Sequence, residues 1–319
     1  MTTTAARLLR EPTKQVRSYA FDSAGWDSFP VRADDIVIST YPKCGTTWTQ
    51  RLVGMMIYQS ADPFPVQESS PWPDFRLIPY AVMLENAASQ THRRYLKSHL
   101  PYDALPVYEG VKYIHVARDG RDAAMSFHHH KLNMTDEAMA IIDTLGLNDP
   151  KFGGPQPRAN PDPAVHFHDW VTGVEDGMGD DGASYFYIEN SFWKARHEPD
   201  VLLVHYNDLK ADLDGEMRRI SAFLDIPVDE TIWPDMVRVG DFSEMKKSAD
   251  MLMPGAGMIF KGGGNTFLNK GTNNRWKDQV DPADLALFEA KVRAQFSPSL
   301  AAWAEHGRLK AGDPAALPD

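Results

Sequence analysis

The stretch Tyr41-Pro42-Lys43-Cys44-Gly45-Thr46-Thr47-Trp48 decides how this chain is read. An apolar, β-branched run, Ile36-Val37-Ile38, leads into it, and Trp48, Leu52, Val53, Met56 and Ile57 recur behind it at helical spacing. The pattern predicts a strand, a tight turn and a helix. The amides of such a turn, together with the positive end of the helix dipole, form an anion site. Lys43 adds a full charge, and Thr46 and Thr47 add hydroxyl donors at the first helical turn. The natural ligand is a phosphate; a strand–turn–helix without a ligand is the plain alternative.

Two common phosphate loops do not fit. A Walker A loop, G-x-x-x-x-G-K-[ST], carries its lysine after the last glycine, whereas Lys43 stands two residues before Gly45, the only glycine of this turn. A cysteine phosphatase loop carries arginine six positions after its cysteine, where this chain has Gln50. A second segment strengthens the phosphate reading. Val111-Lys112-Tyr113-Ile114-His115-Val116-Ala117 reads as a buried strand. Arg118-Asp119-Gly120-Arg121-Asp122 then opens a helix, with Asp119 as N-cap and Asp122 in the capping-box position. Arg118 falls at the strand's carboxyl end, where its guanidinium fork suits a bidentate phosphate contact. A surface arginine paired with Asp119 or Asp122 is the alternative.

With both segments in view, the chain resembles the nucleotide-dependent sulfotransferases of the soluble, cytosolic type, as a bacterial member. These transfer the sulfuryl group of 3′-phosphoadenosine 5′-phosphosulfate (PAPS) to a hydroxyl or amine. Their first signature, Y-P-K-S-G-T-T-W, is matched from Tyr41 to Trp48 except at Cys44, and their second, R-[ND]-x-[KR]-D-x-x-x-S, by Arg118 to Asp122 and Ser126. Their K-T-H-L-P is matched by Lys97-Ser98-His99-Leu100-Pro101. Tyr206-Asn207-Asp208-Leu209-Lys210 resembles Y-E-D-[LM]-K at a strand end, and Phe242-Ser243-Glu244-Met245-Lys246 resembles F-x-x-M-K. Asn269-Lys270-Gly271 with Trp276-Lys277 resembles R-K-G-x-x-x-x-W-K. The matches run in family order from about residue 36 to residue 280.

The resemblance implies a set of roles. Sulfuryl transfer, like phosphoryl transfer, needs aligned oxygens and charge stabilisation on the leaving group. His99 is the candidate base, an imidazole that titrates near neutrality. Lys97, two residues earlier on an extended chain, points to the same side and meets the sulfuryl oxygens. Lys43 neutralises the bridging oxygen as it leaves, and Ser126 completes the catalytic set. The nucleotide set comprises Lys43, Cys44, Gly45, Thr46, Thr47 and Trp48 at the 5′-phosphate turn, Arg118 and Ser126 for the 3′-phosphate, and Leu268, Asn269, Lys270 and Gly271 in the closing loop. Trp48 and Phe242 resemble the pair that sandwiches adenine, and Tyr206 the tyrosine at its edge. Asn269 stands where the family has arginine, so one charged contact is missing, and Arg275 is the candidate replacement. Cys44 replaces a serine, and a thiol at a helix N-terminus can have a lowered pKa. PAP is the expected product, and no metal is expected.

Length, charge and cysteine content bound the rest. The 319 residues suit one α/β domain with a sizeable core, 43% hydrophobic and 24% charged. A net charge of −11 argues against nonspecific nucleic-acid binding. One cysteine permits no internal disulfide. Arg7, Arg10, Lys14 and Arg17 precede no signal-peptide core, and no run has membrane-span length. The expected address is the cytoplasm. Strands near 35–41, 93–97, 111–117 and 200–206 predict a central, mainly parallel sheet flanked by helices, the P-loop-like sulfotransferase fold that the resemblance implies. Helices are predicted near 184–196, 209–224 and 282–294. Segments 132–165 and 248–275 read as loops or lids, and the ends, 1–18 and 308–319, as flexible.

The acceptor is a small alcohol, a phenol or a lipid-linked sugar, and a homodimer is admissible. Trp72, Phe75, Tyr80, Met83 and Phe167 either line the acceptor pocket or fill core. His128-His129-His130 cannot all face one ion from a helix and instead suggests the acceptor rim. A P-loop nucleotide kinase or phosphatase, and a nucleotide-binding relative without activity, are the competing readings.

Overall fold

The structure, a computed structural model, describes residues 5–173 and 183–319. Four short apolar runs pair in parallel: β2 (Ile36–Ser39), β3 (Tyr95–Ser98), β5 (Lys112–Ala117) and β6 (Val201–His205), in the order β3-β2-β5-β6. Ile38 aligns with Lys97 on one side and Ile114 on the other, so β2 and β3 finish level at Ser39 and Ser98, while β5 runs two residues further to end level with β6 at Ala117 and His205. A second, antiparallel ribbon joins β1 (Leu8–Arg10) to β4 (Val107–Tyr108).

Period-two alternation divides the core between the two faces of the sheet. Ile36, Ile38, Ile114 and Val204 pack with α1 (Thr46–Tyr58), α8 (Leu213–Leu224) and α9 (Trp233–Gly240). Val37, Leu96, Tyr113 and Leu203 pack on the other face, with α3 (Gly120–Leu132), α5 (Pro163–Thr172), α6 (Tyr185–Lys194), α14 (Pro282–Gln295) and α15 (Pro298–His306). The result is a helix–sheet–helix sandwich. A buried ion pair between Arg94 and Asp35, 2.5 Å apart, ties the starts of β2 and β3.

Several sequence expectations change here. The predicted helix 209–224 is two helices, α7 (Tyr206–Ala211) and α8, because Asp212 turns out of the helix and accepts a hydrogen bond from the Gly215 amide as the second N-cap. Segment 132–165 is no simple loop: Thr135 caps α4 (Asp136–Leu147), and Asp162 caps α5 with Pro163 at its first position. Segment 248–275 contains three single-turn helices, α11 (Ala249–Leu252), α12 (Ala256–Ile259) and α13 (Gly263–Phe267). The ends are packed where they are described. Arg10 donates to Tyr102 O at 2.9 Å, and the Asp319 carboxylate accepts from Trp193 Nε1 at 2.8 Å and pairs with Arg196 at 3.0 Å.

Candidate active site

A cleft of about 790 Å³ opens beyond the carboxyl ends of β2, β3, β5 and β6, where open parallel sheets bind ligands. The turn after β2 is built from two left-handed residues, Lys43 at φ +70° and Gly45 at φ +119°. A Cβ at Gly45 would lie 3.2 Å from the Tyr206 ring and 3.4 Å from Val116. Only glycine fits both that conformation and that space. The first bond of α1 runs from the Thr49 amide to Gly45 O at 3.0 Å, which leaves the amides from Gly45 to Trp48 without intrahelical partners. The turn is therefore a row of donors at a helix N-terminus.

Three side chains meet beside it. His99 leaves β3, and its Nδ1 donates to Thr40 O at 2.8 Å. A carbonyl only accepts, so that bond fixes the proton on Nδ1 and leaves Nε2 as the basic nitrogen. Burial and the neighbouring Lys97 charge hold the ring's pKa well below the ordinary histidine value. Lys97 Nζ sits 3.6 Å over the Trp72 ring, and Lys43 Nζ 4.0 Å over the Phe267 ring. Both ammonium groups are pulled down to about 7, by burial first and then by a like charge: Arg118 for Lys43, and Lys43 for Lys97. Two lysines poised near neutrality form a site that an anion would recharge. Behind them Asp74 accepts from Ser98 Oγ at 3.3 Å and from the His99 amide at 3.4 Å, and burial lifts its carboxyl to about 6.

The other end of the cleft is organised by Arg118. Its guanidinium lies 4.2 Å over the Tyr206 ring and donates to Lys43 O, Thr272 O and Asn273 Oδ1 at 3.3, 3.1 and 3.2 Å. It thus clamps the phosphate turn to the 268–275 loop. Lys210 Nζ donates to Gly271 O at 2.7 Å, and Lys246 Nζ donates to Asn269 O. Arg118 Nε and Asn269 Nδ2 are buried and lack partners. Arg275 lines the same cleft, with its pKa lowered by burial and by Arg118.

Every predicted site residue lines this cleft except Cys44. Cys44 is fully buried in the core, its amide bonds Tyr41 O at 3.3 Å, and burial raises its thiol well above the ordinary value. The expected lowering by the helix terminus is overturned, because desolvation outweighs a dipole that the side chain does not face. Trp48 and Phe242 do not form an open sandwich: their rings meet edge to face at 5.8 Å and 69°, so a base can stack between them only after Phe242 turns. Trp48 itself is fixed by its Nε1 bond to Gly240 O at 2.7 Å.

On the acceptor side, Trp72, Phe75 and Met83 line the cleft, while Phe167 is core and Tyr80 donates to Gly25 O at 2.8 Å. The three consecutive histidines diverge. His128 bonds Asn160 O, His129 bonds Thr266 O, and only His130 lines the cleft. Thr40, Asp74, Phe267, Thr272 and Asn273 escaped sequence reading, since each acts through a contact distant in sequence.

The sulfotransferase domain pattern matches residues 33–299. A glycolipid sulfotransferase of Mycobacterium bovis is 31% identical, over 94% of this chain and 96% of that protein. Bovine sulfotransferase 1A1 is 29% identical over 88% and 92%. Among solved structures, a mouse sulfotransferase complexed with PAP aligns with a TM-score of 0.61 at 21% identity, covering 88% of this chain and 91% of that one. Retinol dehydratase in complex with androsterone and PAP aligns at 0.64, also at 21% identity, over 93% and 90%. The chain belongs to the sulfotransferase family and is a PAPS-dependent enzyme that transfers a sulfuryl group to a hydroxyl acceptor. The kinase, phosphatase and inactive readings fall with that assignment.

The cleft fits the nucleotide. It offers free helix-terminal amides, two buried donors without partners, and a second close approach at Gly271, where a Cβ would meet the Phe242 ring at 2.3 Å. Among the described residues no helix is long and apolar enough to cross a membrane.

Proposed function

We propose that His99 is the base, that Lys43 and Lys97 carry the charge of the transfer, and that Arg118 with the 268–275 loop reads the 3′-phosphate. PAPS supplies an activated sulfuryl group and a good leaving group. Everything else falls to the chain. Nε2 of His99 accepts the proton of the acceptor hydroxyl as its oxygen attacks. Thr40 O holds the ring in that tautomer. Lys97 faces the sulfuryl oxygens, and Lys43 faces the oxygen on which charge develops. Their lowered pKa values tie anion binding to proton uptake, because an incoming anion stabilises the charged form of two partly neutral amines. Arg275 takes the place of the arginine missing at Asn269. No metal enters this scheme, since the two lysines meet the charge a cation would meet.

The observation that carries the reading is the Nδ1-to-Thr40 bond at 2.8 Å, which leaves Nε2 basic between two cleft lysines. The acceptor is a hydroxyl on an apolar body. The cleft walls include Trp72, Phe75, Met134, Met139 and Phe260, and the mycobacterial relatives are named for glycolipids. The lone cysteine accords with a cytoplasmic address. His99→Ala should lower kcat by roughly 10²–10⁴-fold, the range for loss of a general base, while calorimetry shows PAP binding nearly intact. Near-normal turnover would remove His99 from the chemistry.

A further inference from the structure

His130 stands among groups the transfer already uses, yet none of those steps needs it. It lines the cleft one helical turn beyond Ser126, on the same face of α3. Its ring packs against Phe260 at 4.7 Å, Phe127 at 5.9 Å and Phe267 at 6.0 Å between centroids, and Phe267 in turn carries Lys43 Nζ on its face. These neighbours form an aromatic wall in which a phenylalanine would sit without a polar atom to satisfy. The chain places an imidazole there instead. Burial, and after it the charges of Lys43 and Lys97, hold the ring neutral.

A neutral imidazole has one N–H and one bare nitrogen. Nδ1 of His130 is enclosed and has no hydrogen-bond partner. A buried orphan N–H is rarer than an under-satisfied acceptor, so the proton is assigned to Nε2, the ring nitrogen that is not among the enclosed, unpartnered atoms. His99 has the opposite tautomer, with Nδ1–H spent on Thr40 O and Nε2 bare. The cleft therefore holds two neutral imidazoles of complementary sense, one accepting and one donating.

We propose that His130 is a specificity residue for the acceptor: it donates to an oxygen next to the reacting hydroxyl, so the preferred acceptors are polyhydroxylated rather than simple alcohols or phenols. This rests on the proposed role of His99 and adds to it. His99 takes the proton from the hydroxyl that becomes sulfated. His130 engages a neighbouring oxygen and fixes which hydroxyl is presented. A monofunctional phenol leaves that donor unpaired in a desolvated site, and such sites discriminate against ligands that lack the matching group.

The test is a ratio. PAPS turnover is measured with two acceptors, octyl β-glucoside as the polyol and 2-naphthol as the phenol. The kcat/KM ratio of glucoside to naphthol is compared in the wild type, His130→Phe and His130→Gln. His130→Phe should lower the ratio by about tenfold, the loss of one hydrogen bond in the acceptor complex. His130→Gln keeps a donor and should return the ratio to within about threefold of wild type. An unchanged ratio in His130→Phe overturns the proposal, and so does an equal fall in both variants, which would mark His130 as packing alone. PAP binding by calorimetry confirms that each variant is folded. If His99→Ala keeps turnover, the proposed base is wrong; if His99→Ala is inactive and the ratio does not move, only the role of His130 fails.

Discussion

The cleft is bounded by two regions of opposite construction, each proposed to read one phosphate. The turn Tyr41–Trp48 is local. It lies between a buried strand and a thirteen-residue helix, and its shape is set by Gly45 against Tyr206 and by core packing of Tyr41, Cys44 and Trp48. The loop 268–275 has no such scaffold. Its backbone is held by side chains arriving from elsewhere: Arg118, Lys210 and Lys246. The turn is shaped mainly by its own residues, whereas the loop is tied by side chains distant in sequence, the three cations and the Asp122 carboxylate that accepts from the Arg275 amide at 3.3 Å. The difference teaches where each half of the nucleotide site is vulnerable.

The largest separation should come from pH. Lys43 and Lys97 stand near 7 in the free protein, while the loop side relies on the Arg118 guanidinium. A bound anion favours the charged amines, so binding takes up protons and is strongest below pH 7. Affinity is lost as pH rises through the free-state pKa values. PAP affinity should fall by about tenfold or more between pH 7 and pH 9, measured by calorimetry in buffers of different ionisation enthalpy. A flat profile without proton uptake would show that the lysines are charged in the free protein. The steepness would then belong to neither region.

Arg118→Ala strikes the clamp itself. PAP should weaken by about 1.5–3 kcal/mol, the value of a charge-assisted hydrogen bond, and AMP by much less. Hydrogen exchange should accelerate across 268–275 while 41–48 stays protected. Equal losses for both nucleotides would make Arg118 a support of the fold.

The smallest effect is expected inside the loop. If Arg275 already fills the role left by Asn269, Arg275→Ala weakens PAP by roughly 1 kcal/mol and Asn269→Arg gains nothing. If the place is empty, Asn269→Arg tightens PAP by roughly 1 kcal/mol with a steeper salt dependence. Unchanged affinity in both variants would mean that the loop does not reach the nucleotide.

This contrast also explains what could be read from sequence. The turn was legible because its determinants are contiguous: a β-branched strand, one glycine, two threonines and a helical apolar stripe. All four central strands fell within a residue or two of their predicted places for the same reason. The helices α4 and α5 were missed because Thr135 and Asp162, with the surrounding Asn, Asp and Pro, carry turn chemistry that also caps helices. Cys44 was misjudged because position at a helix terminus does not reveal which way a side chain points. Thr40 and Asp74 were invisible because their contacts with His99 span 59 and 25 residues.

One bond described above has a wider consequence. Thr40, whose carbonyl orients His99, is only three residues ahead of Lys43, and its hydroxyl meets that of Thr46 at 2.6 Å. The proposed base and the proposed phosphate turn thus sit at the ends of adjacent strands and are joined by these two contacts. The walls that face the acceptor come from other segments but touch the same residues: Trp72 lies under Lys97 Nζ at 3.6 Å and Phe267 under Lys43 Nζ at 4.0 Å. The proposed chemistry and the acceptor walls therefore share contacts. An exchange of those walls that admits a new acceptor is thus also an exchange of the packing around Lys43 and Lys97, so acceptor range and the charge at the transfer site change together within a single fold.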